Sequence, residues 1–369
     1  MVILSLVTQS FPQVNPQLKS VDPFFLQINL VLIVIGLTFV ISASWHESVR
    51  YYGTPWSFII KHVVAIILGS SLMFFFSFLH FRWLKRSAWL WVLLAVILLL
   101  LTAKFGVVTG GSRRWLALGP VNLQASEFAK IISALIATKV IVEHKNRIWA
   151  IIAVMLMAGL VLKQPDLGTS ILVMGAAIAA LFASGFNLVA FVVGLAAVGY
   201  AGVKQVVSTP YQMERIQYWL NPYSDPLGNG YNLIQSIRAI GAGGLWGVGI
   251  GASIQKLGPL PVAYADFIFS IICEEIGFLG VFGLLVLFFA WIYRAMHISA
   301  NAEDEFGRIF GFSLTMVFAF QILINIAVAT GLFPITGMTL PLISFGGSSF
   351  LSSSIIIGIL LNISRFSRV

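Results

Sequence analysis

Phe24-Phe25-Leu26-Gln27-Ile28-Asn29-Leu30-Val31-Leu32-Ile33-Val34-Ile35-Gly36-Leu37-Thr38-Phe39-Val40-Ile41-Ser42-Ala43 runs for twenty residues without a charged side chain. Coiled as an α-helix at about 1.5 Å per residue, such a stretch is about 30 Å long, the depth of a bilayer's hydrocarbon core. Comparable stretches follow at Phe58–Leu79, Ala88–Ala103, Phe128–Val142, Ile148–Leu162, Leu167–Ala183 and Leu188–Val207. Three more, Phe267–Tyr293, Ile309–Leu332 and Phe345–Ile363, complete the series. Helices are the expected form, because an open strand in lipid leaves backbone N–H and C=O groups unpaired. The expectation is an all-α integral membrane protein of about ten transmembrane helices.

Composition agrees. Of the 369 residues 59% are hydrophobic and 9% charged, against roughly 25% charged in a soluble domain, so too few charges remain to cover a water-facing surface. The formal net charge of +9 does not indicate nucleic acid, because the basic residues lie at helix ends rather than in one stripe. A single cysteine, Cys273, allows no intramolecular disulfide. Val2–Val7 is too short for a signal-peptide core and follows no basic residue, so the first span is expected to direct insertion. Residues 1–23 then form a short cytoplasmic segment and 24–369 one membrane domain.

Orientation follows from Lys and Arg in short loops. Arg82, Lys85, Arg86, Lys145, Arg147, Arg294, Arg308, Arg365 and Arg368 fall on one side if both termini are cytoplasmic. The outer side holds the loops Trp45–Ser57 and Phe105–Ser126 and one long connection of about residues 208–266. That connection carries Tyr218, Trp219, Tyr231 and Trp246, an amphipathic stretch at Leu233–Ile240 and a glycine run at Gly241–Gly251. Connections this long are usually functional. No inverted pair of broken helices is evident, as a secondary transporter would favour.

Polar groups concentrate in three outer-side segments. The first is Gly110-Gly111-Ser112-Arg113-Arg114-Trp115 with Gln124-Ala125-Ser126-Glu127-Phe128-Ala129-Lys130. Ser126 suits a helix cap and Glu127 a first helical turn. Lys130 lies three residues after Glu127, so the two can pair on one helix face; an ionisable residue in a span is also a functional candidate by default. The second is Lys163-Gln164-Pro165-Asp166-Leu167-Gly168-Thr169, where proline breaks an apolar stretch and Lys163 and Asp166 can neutralise each other or bind a ligand. The third runs from Gln255-Lys256 to Asp266-Phe267. Asp266 suits an N-cap as well as a reaction. Glu274 and Glu275 lie about two turns deeper, and at least one must face a polar cavity or a partner. Glycine- and proline-rich stretches at Gly331–Pro341 and Ser344–Ser354 suggest close packing near the same side. A cavity open to the outer leaflet and lined by arginine, lysine and carboxylates suits a phosphorylated lipid, since the guanidinium fork matches phosphate.

At these motifs the sequence resembles the SEDS family (shape, elongation, division and sporulation), the membrane glycosyltransferases that include FtsW, RodA and SpoVE. The resemblance rests on Ser42-Ala43-Ser44, on Arg114-Trp115 with Ser126-Glu127 and Lys130, and on Gln164-Pro165-Asp166-Leu167-Gly168-Thr169. It continues through Gln235-Ser236, Ala239-Ile240-Gly241, Asp266-Phe267-Ile268-Phe269, Glu274-Glu275 and Gly277, and ends in Leu340-Pro341-Leu342-Ile343-Ser344-Phe345-Gly346-Gly347-Ser348-Ser349. Ser253-Ile254-Gln255-Lys256 and Met338–Ile343 look more like the FtsW-like division branch than the RodA-like elongation branch.

The resemblance implies a ten-helix bundle in the bacterial cytoplasmic membrane, working at the division septum. The implied activity is polymerisation of lipid II into glycan strands at the outer face. The acceptor sugar hydroxyl attacks the anomeric carbon of the lipid-linked chain and undecaprenyl diphosphate leaves. Asp266 matches the family's essential aspartate, implied as general base; Arg113, Arg114 and Lys130 would hold the diphosphate, and Glu127 would orient Lys130 or bind sugar. Lys163, Asp166, Gln255 and Lys256 are further substrate-binding candidates, and Glu274 and Glu275 are expected as inner-cavity carboxylates. Expected partners are lipid II, the growing glycan strand, a class B penicillin-binding transpeptidase and other division proteins. No organic cofactor is expected; a divalent cation bridging the diphosphate is compatible, although no all-carboxylate metal cage is visible. One departure stands beside Asp266: family members commonly read Pro-Glu-Ala-His-Thr-Asp, and here the residues are Pro261-Val262-Ala263-Tyr264-Ala265-Asp266. The rival readings are a lipid II flippase, which would use the same cavity and charges, and a scaffold that recruits a transpeptidase.

Overall fold

The computed structural model describes residues 20–109, 112–118, 121–185, 210–258 and 260–367. Its helices before residue 185 are α1 (Pro23–Tyr52), α2 (Trp56–Phe78), α3 (Phe81–Phe105), α4 (Ala125–Glu143), α5 (Arg147–Lys163) and α6 (Leu167–Ala183). Beyond residue 210 come α7 (Pro210–Leu220), α8 (Tyr231–Gly243), α9 (Ile268–Ala300), α10 (Glu305–Ala329) and α11 (Gly347–Arg365). Nine of the ten expected spans coincide with described helices, and the seventh, Leu188–Val207, lies outside the described residues. Among the described residues six helices, α1, α2, α3, α9, α10 and α11, are long and apolar enough to cross a membrane.

Large apolar side chains on α1, α2, α3 and α9 are exposed, among them Val34, Ile60, Phe74, Leu93, Phe282 and Phe289. In water such a surface would aggregate; in lipid it is the expected exterior. The interior is richer in polar groups. α11 is the most enclosed spanning helix and buries Ser348, Ser349, Ser352, Ser353 and Ser354, small residues that let helices approach closely and hydrogen-bond across the contact. It packs chiefly on α2, while α4 packs on α6 and α9 on α10.

Two expected loops are corrected. The first span runs on to Tyr52, so the Trp45–Ser57 connection shrinks to the turn at 53–55, with Gly53 in the left-handed cap. The Phe105–Ser126 connection folds into antiparallel strands β1 (Val107–Thr109), β2 (Ser112–Leu118) and β3 (Val121–Leu123). At the opposite end Arg294 pairs with Asp22 (2.5 Å), Arg82 with Asp304 (3.3 Å) and Lys85 with Glu143 (3.8 Å). The basic loops counted for orientation are thus joined at one end of the bundle.

The connection at 210–266 is no simple loop. α8 packs along α9, and the segment after α8 meets α9 where that helix breaks. Gly277 has φ 64° and ψ −172°, a conformation open in practice only to glycine. The break frees backbone groups, and the turn after α8 pairs them: Val248 N donates to Glu274 O, Gly249 N to Glu275 O, and Phe278 N to Gly244 O, all within 3.0 Å. A Cβ at Gly277 would stand 2.2 Å from Gly247 N. The expected outcome of Gly277→Ala is a loss of about 1–3 kcal/mol, read as a lower melting temperature in detergent. Gly283→Ala, where an added Cβ meets nothing within 4 Å, is the matched control.

Candidate functional site

Asp266 sits immediately ahead of α9, on a turn that two other elements fix. Ser344 Oγ donates to Ala265 O (2.7 Å) and Phe345 N to Tyr264 O (2.9 Å). From α10, Asn325 Nδ2 reaches both Asp266 O (3.1 Å) and Met338 O (2.6 Å). The two clamped segments each hold a left-handed non-glycine residue, Val262 and Leu342, a strain that persists only where surroundings impose it. The α9 N-cap is Phe267, so Asp266 does not cap the helix and its half-buried carboxyl is left for other work. Tyr264, at the position where family members commonly carry His, packs its ring 4.7 Å from Phe58 and 5.4 Å from Phe345.

Arg114 comes to the same place by another route. Val108 pairs with Arg113 and Val107 with Trp115, so the β1–β2 ladder skips Arg114. An unpaired bulge residue can be aimed away from its neighbours. Arg114 Nε donates to Gln164 O (3.0 Å) and Nη2 to Pro165 O, which ties β2 to the turn between α5 and α6. Its Nη1 lies beside Gly337, where an added Cβ would stand 3.9 Å from Nη1 and 3.6 Å from Asp266 Oδ2. Gly337 has φ +72°, so glycine suits the backbone and leaves open the space between guanidinium and carboxylate. Arg113 is exposed and bonds Lys104 O (3.3 Å); the structure does not bring it to Asp266.

Burial pushes the Asp266 carboxyl up to about 6, the Arg215 and Arg114 guanidinium charges pull against that rise, and Asp166 adds to it. A carboxylate held there is matched to taking a proton near neutral pH. Arg215, on α7, was not among the sequence candidates; no motif marked it, and only the tertiary fold brings it near.

Glu127 and Lys130 pair as spacing suggested, at 2.7 Å, both buried. Lys130 Nζ also donates to Gln321 Oε1 (2.5 Å), and Ser352 Oγ donates to Glu127 Oε2 (2.6 Å). Gln321 Nε2 reaches on to Thr339 O (3.1 Å). Lys130 is thus enclosed by α4, α10 and α11 beneath the Asp266 segment rather than lining open space. Sequence reading missed Gln321 and Asn325, whose signal was available: two amides one turn apart inside an apolar span.

Several expectations are corrected. Ser126 does not cap α4; the N-cap is Gln124, and Ser126 lies buried inside the helix with Oγ 3.5 Å from Asp166. Asp166 does not neutralise Lys163. It caps α6, accepting from Thr169 N (3.1 Å), Thr169 Oγ1 (2.9 Å) and Gln124 Nε2 (3.1 Å), while Lys163 is exposed. Lys256 is not open to a diphosphate: its Nζ bonds Glu275 Oε1 and Ser42 Oγ, each at 2.7 Å. Glu274 accepts from Ser253 Oγ and from Ile254 N (2.9 Å). The two glutamates therefore face the folded 253–256 segment rather than an inner cavity. Gln255 shares that segment.

The family model for FtsW, RodA and SpoVE, described as cell cycle protein, matches residues 23–369. Stage V sporulation protein E of Bacillus subtilis is 37% identical over 360 residues, covering 95% of this chain and 98% of that protein. A probable peptidoglycan glycosyltransferase FtsW of Aliivibrio salmonicida is 36% identical over 364 residues, covering 94% and 90%. Among solved structures, a chain of a peptidoglycan synthase complex, reported for structural coordination of polymerization and crosslinking, superposes with TM-score 0.77 at 30% identity, covering 94% of this chain and 98% of that one. Thermus thermophilus rod shape determining protein RodA superposes with TM-score 0.71 at 26% identity, covering 96% and 100%. With a bundle of apolar helices, a clamped aspartate and a matching family model over nearly its whole length, this multi-pass membrane protein belongs to the FtsW/RodA/SpoVE family of cell cycle proteins.

Proposed function

We propose that the chain is a peptidoglycan glycosyltransferase that polymerises lipid II into glycan strands at the outer face of the bacterial cytoplasmic membrane, for septal wall synthesis. The observation that carries this reading is the convergence of Asp266 and Arg114 on the bare backbone of Gly337. Relatives named as glycosyltransferases are its support from comparison. Both termini are then cytoplasmic and the Asp266 end faces outward.

Asp266 accepts the proton of the acceptor hydroxyl as its oxygen bonds the anomeric carbon of the lipid-linked chain. The bond to the diphosphate breaks and its electrons leave with undecaprenyl diphosphate. Arg114 meets the growing charge on that leaving group. Lys130, held by Glu127 and Gln321, positions the elements beneath. A divalent cation carried on the diphosphate oxygens would add to this neutralisation; among the described residues no three His, Cys, Asp or Glu side chains form a metal cluster. A class B penicillin-binding transpeptidase is the proposed partner that crosslinks the strands.

Asp266→Asn removes the base while preserving size. Its expected result is loss of glycan products from labelled lipid II on a gel, with an unchanged elution profile; normal polymerisation by an intact Asp266→Asn protein would overturn Asp266 as the base. With the carboxyl raised to about 6, activity is expected to climb through that pH and to fall about tenfold per unit below it, read as kcat/KM across pH 4.5–8. Arg114→Ala is expected to lower kcat/KM by roughly a hundredfold with the protein still folded, measured by turnover alongside a thermal melt.

A further inference from the structure

A cleft of about 180 Å³ opens beside the Asp266 site and takes no part in the chemistry above. Its walls are Arg215, Tyr218 and Trp219 from α7, Asn229 and Asn232 around the start of α8, and Ile335 from the segment after α10. Trp219 is fixed by donating Nε1–H to Gly331 O (2.7 Å), and Arg215 by donating Nη1–H to Ile335 O (3.0 Å). Ile335 is two residues from Gly337, the glycine between Asp266 and Arg114, so the cleft wall and the reacting space stand at most about 7 Å apart along the chain. The Arg215 charge is also felt at Asp266.

We propose that this cleft is a saccharide subsite, which binds the N-acetylated sugar next to the one reacting at Asp266. Its volume lies below the roughly 300–1,000 Å³ of a drug-sized site, so it suits one sugar ring and excludes a whole lipid-linked disaccharide. Aromatic faces at Tyr218 and Trp219 match the apolar C–H face of a pyranose. Two carboxamides, Asn229 and Asn232, each donate and accept, as hydroxyl and N-acetyl groups require. An anion is disfavoured: Glu214 stands at the rim, and Arg215 already spends a donor on Ile335 O. Charge recognition thus stays with Arg114, and sugar recognition moves to α7 and α8. The subsite rests on the proposed glycan polymerisation for its biological use, while its binding chemistry stands apart.

The test uses the full-length protein in detergent with an N-acetylglucosamine tetrasaccharide as probe, followed by saturation-transfer NMR and titration. Wild-type protein is expected to bind it, and Asn232→Ala and Tyr218→Leu each to bind roughly fivefold more weakly. In lipid II turnover Asn232→Ala is expected to raise KM by a similar factor while kcat stays within about a factor of two. Absence of transfer to wild-type protein, or equal binding by both cleft variants, overturns the subsite even if polymerisation proceeds. Displacement by inorganic pyrophosphate but not by sugar overturns it in favour of an anion site. Tetrasaccharide binding through Asn232 and Tyr218 in a protein that never polymerises lipid II supports the subsite and removes the proposed function instead.

Discussion

A helix that breaks inside a bilayer must find partners for every backbone group it frees, because lipid offers none. α9 breaks at Gly277, and the partners come from the turn at 244–249. This constraint draws the outer connection onto the membrane domain. Once that turn is seated, Lys256 meets Glu275 and Ser42, and Ser253 meets Glu274. The connection is then fixed at both ends, and Asp266, at its close, occupies one place rather than many.

A second set of forces acts from within the bundle. Charges in an apolar interior are tolerated only when paired and hydrogen-bonded on every side. Glu127 and Lys130 meet that condition through Gln321 and Ser352, which come from two other helices. One turn along α10 from Gln321, Asn325 holds the Asp266 and Met338 carbonyls. The same polar stripe that makes the ion pair tolerable therefore also supports the aspartate segment. Rigid support of this kind is what a general base requires, since small displacements from a productive geometry cost rate steeply.

The helices, the apolar exterior and the neighbourhood of Asp266 were legible because each rests on local pattern. Length and apolarity mark a span whatever surrounds it, and an i, i+3 spacing places Glu127 beside Lys130 on any helix. Errors arose where a residue's role is settled by a distant partner. Gln124 rather than Ser126 takes the N-cap position of α4, where β3 delivers the chain, and Asp166 caps α6 instead of pairing with Lys163. Arg113 and Arg114 are indistinguishable as neighbours in sequence, and only the bulge opposite Val107 and Val108 separates them.

What the sequence by itself determined is thus the solvent: with 9% charged residues, this chain must face lipid with helices and gather its few charges where helices end. Which of those charges meet was decided only by the tertiary structure. Arg114, Arg215 and Asp266 are separated by about a hundred and by about fifty positions along the chain, and electrostatic interaction depends on distance in space, not in sequence. Lys256 reads as a cation suited to a diphosphate until the broken helix places Glu275 against it. The fold, by satisfying buried backbone first, assigns each charge either to structure or to chemistry.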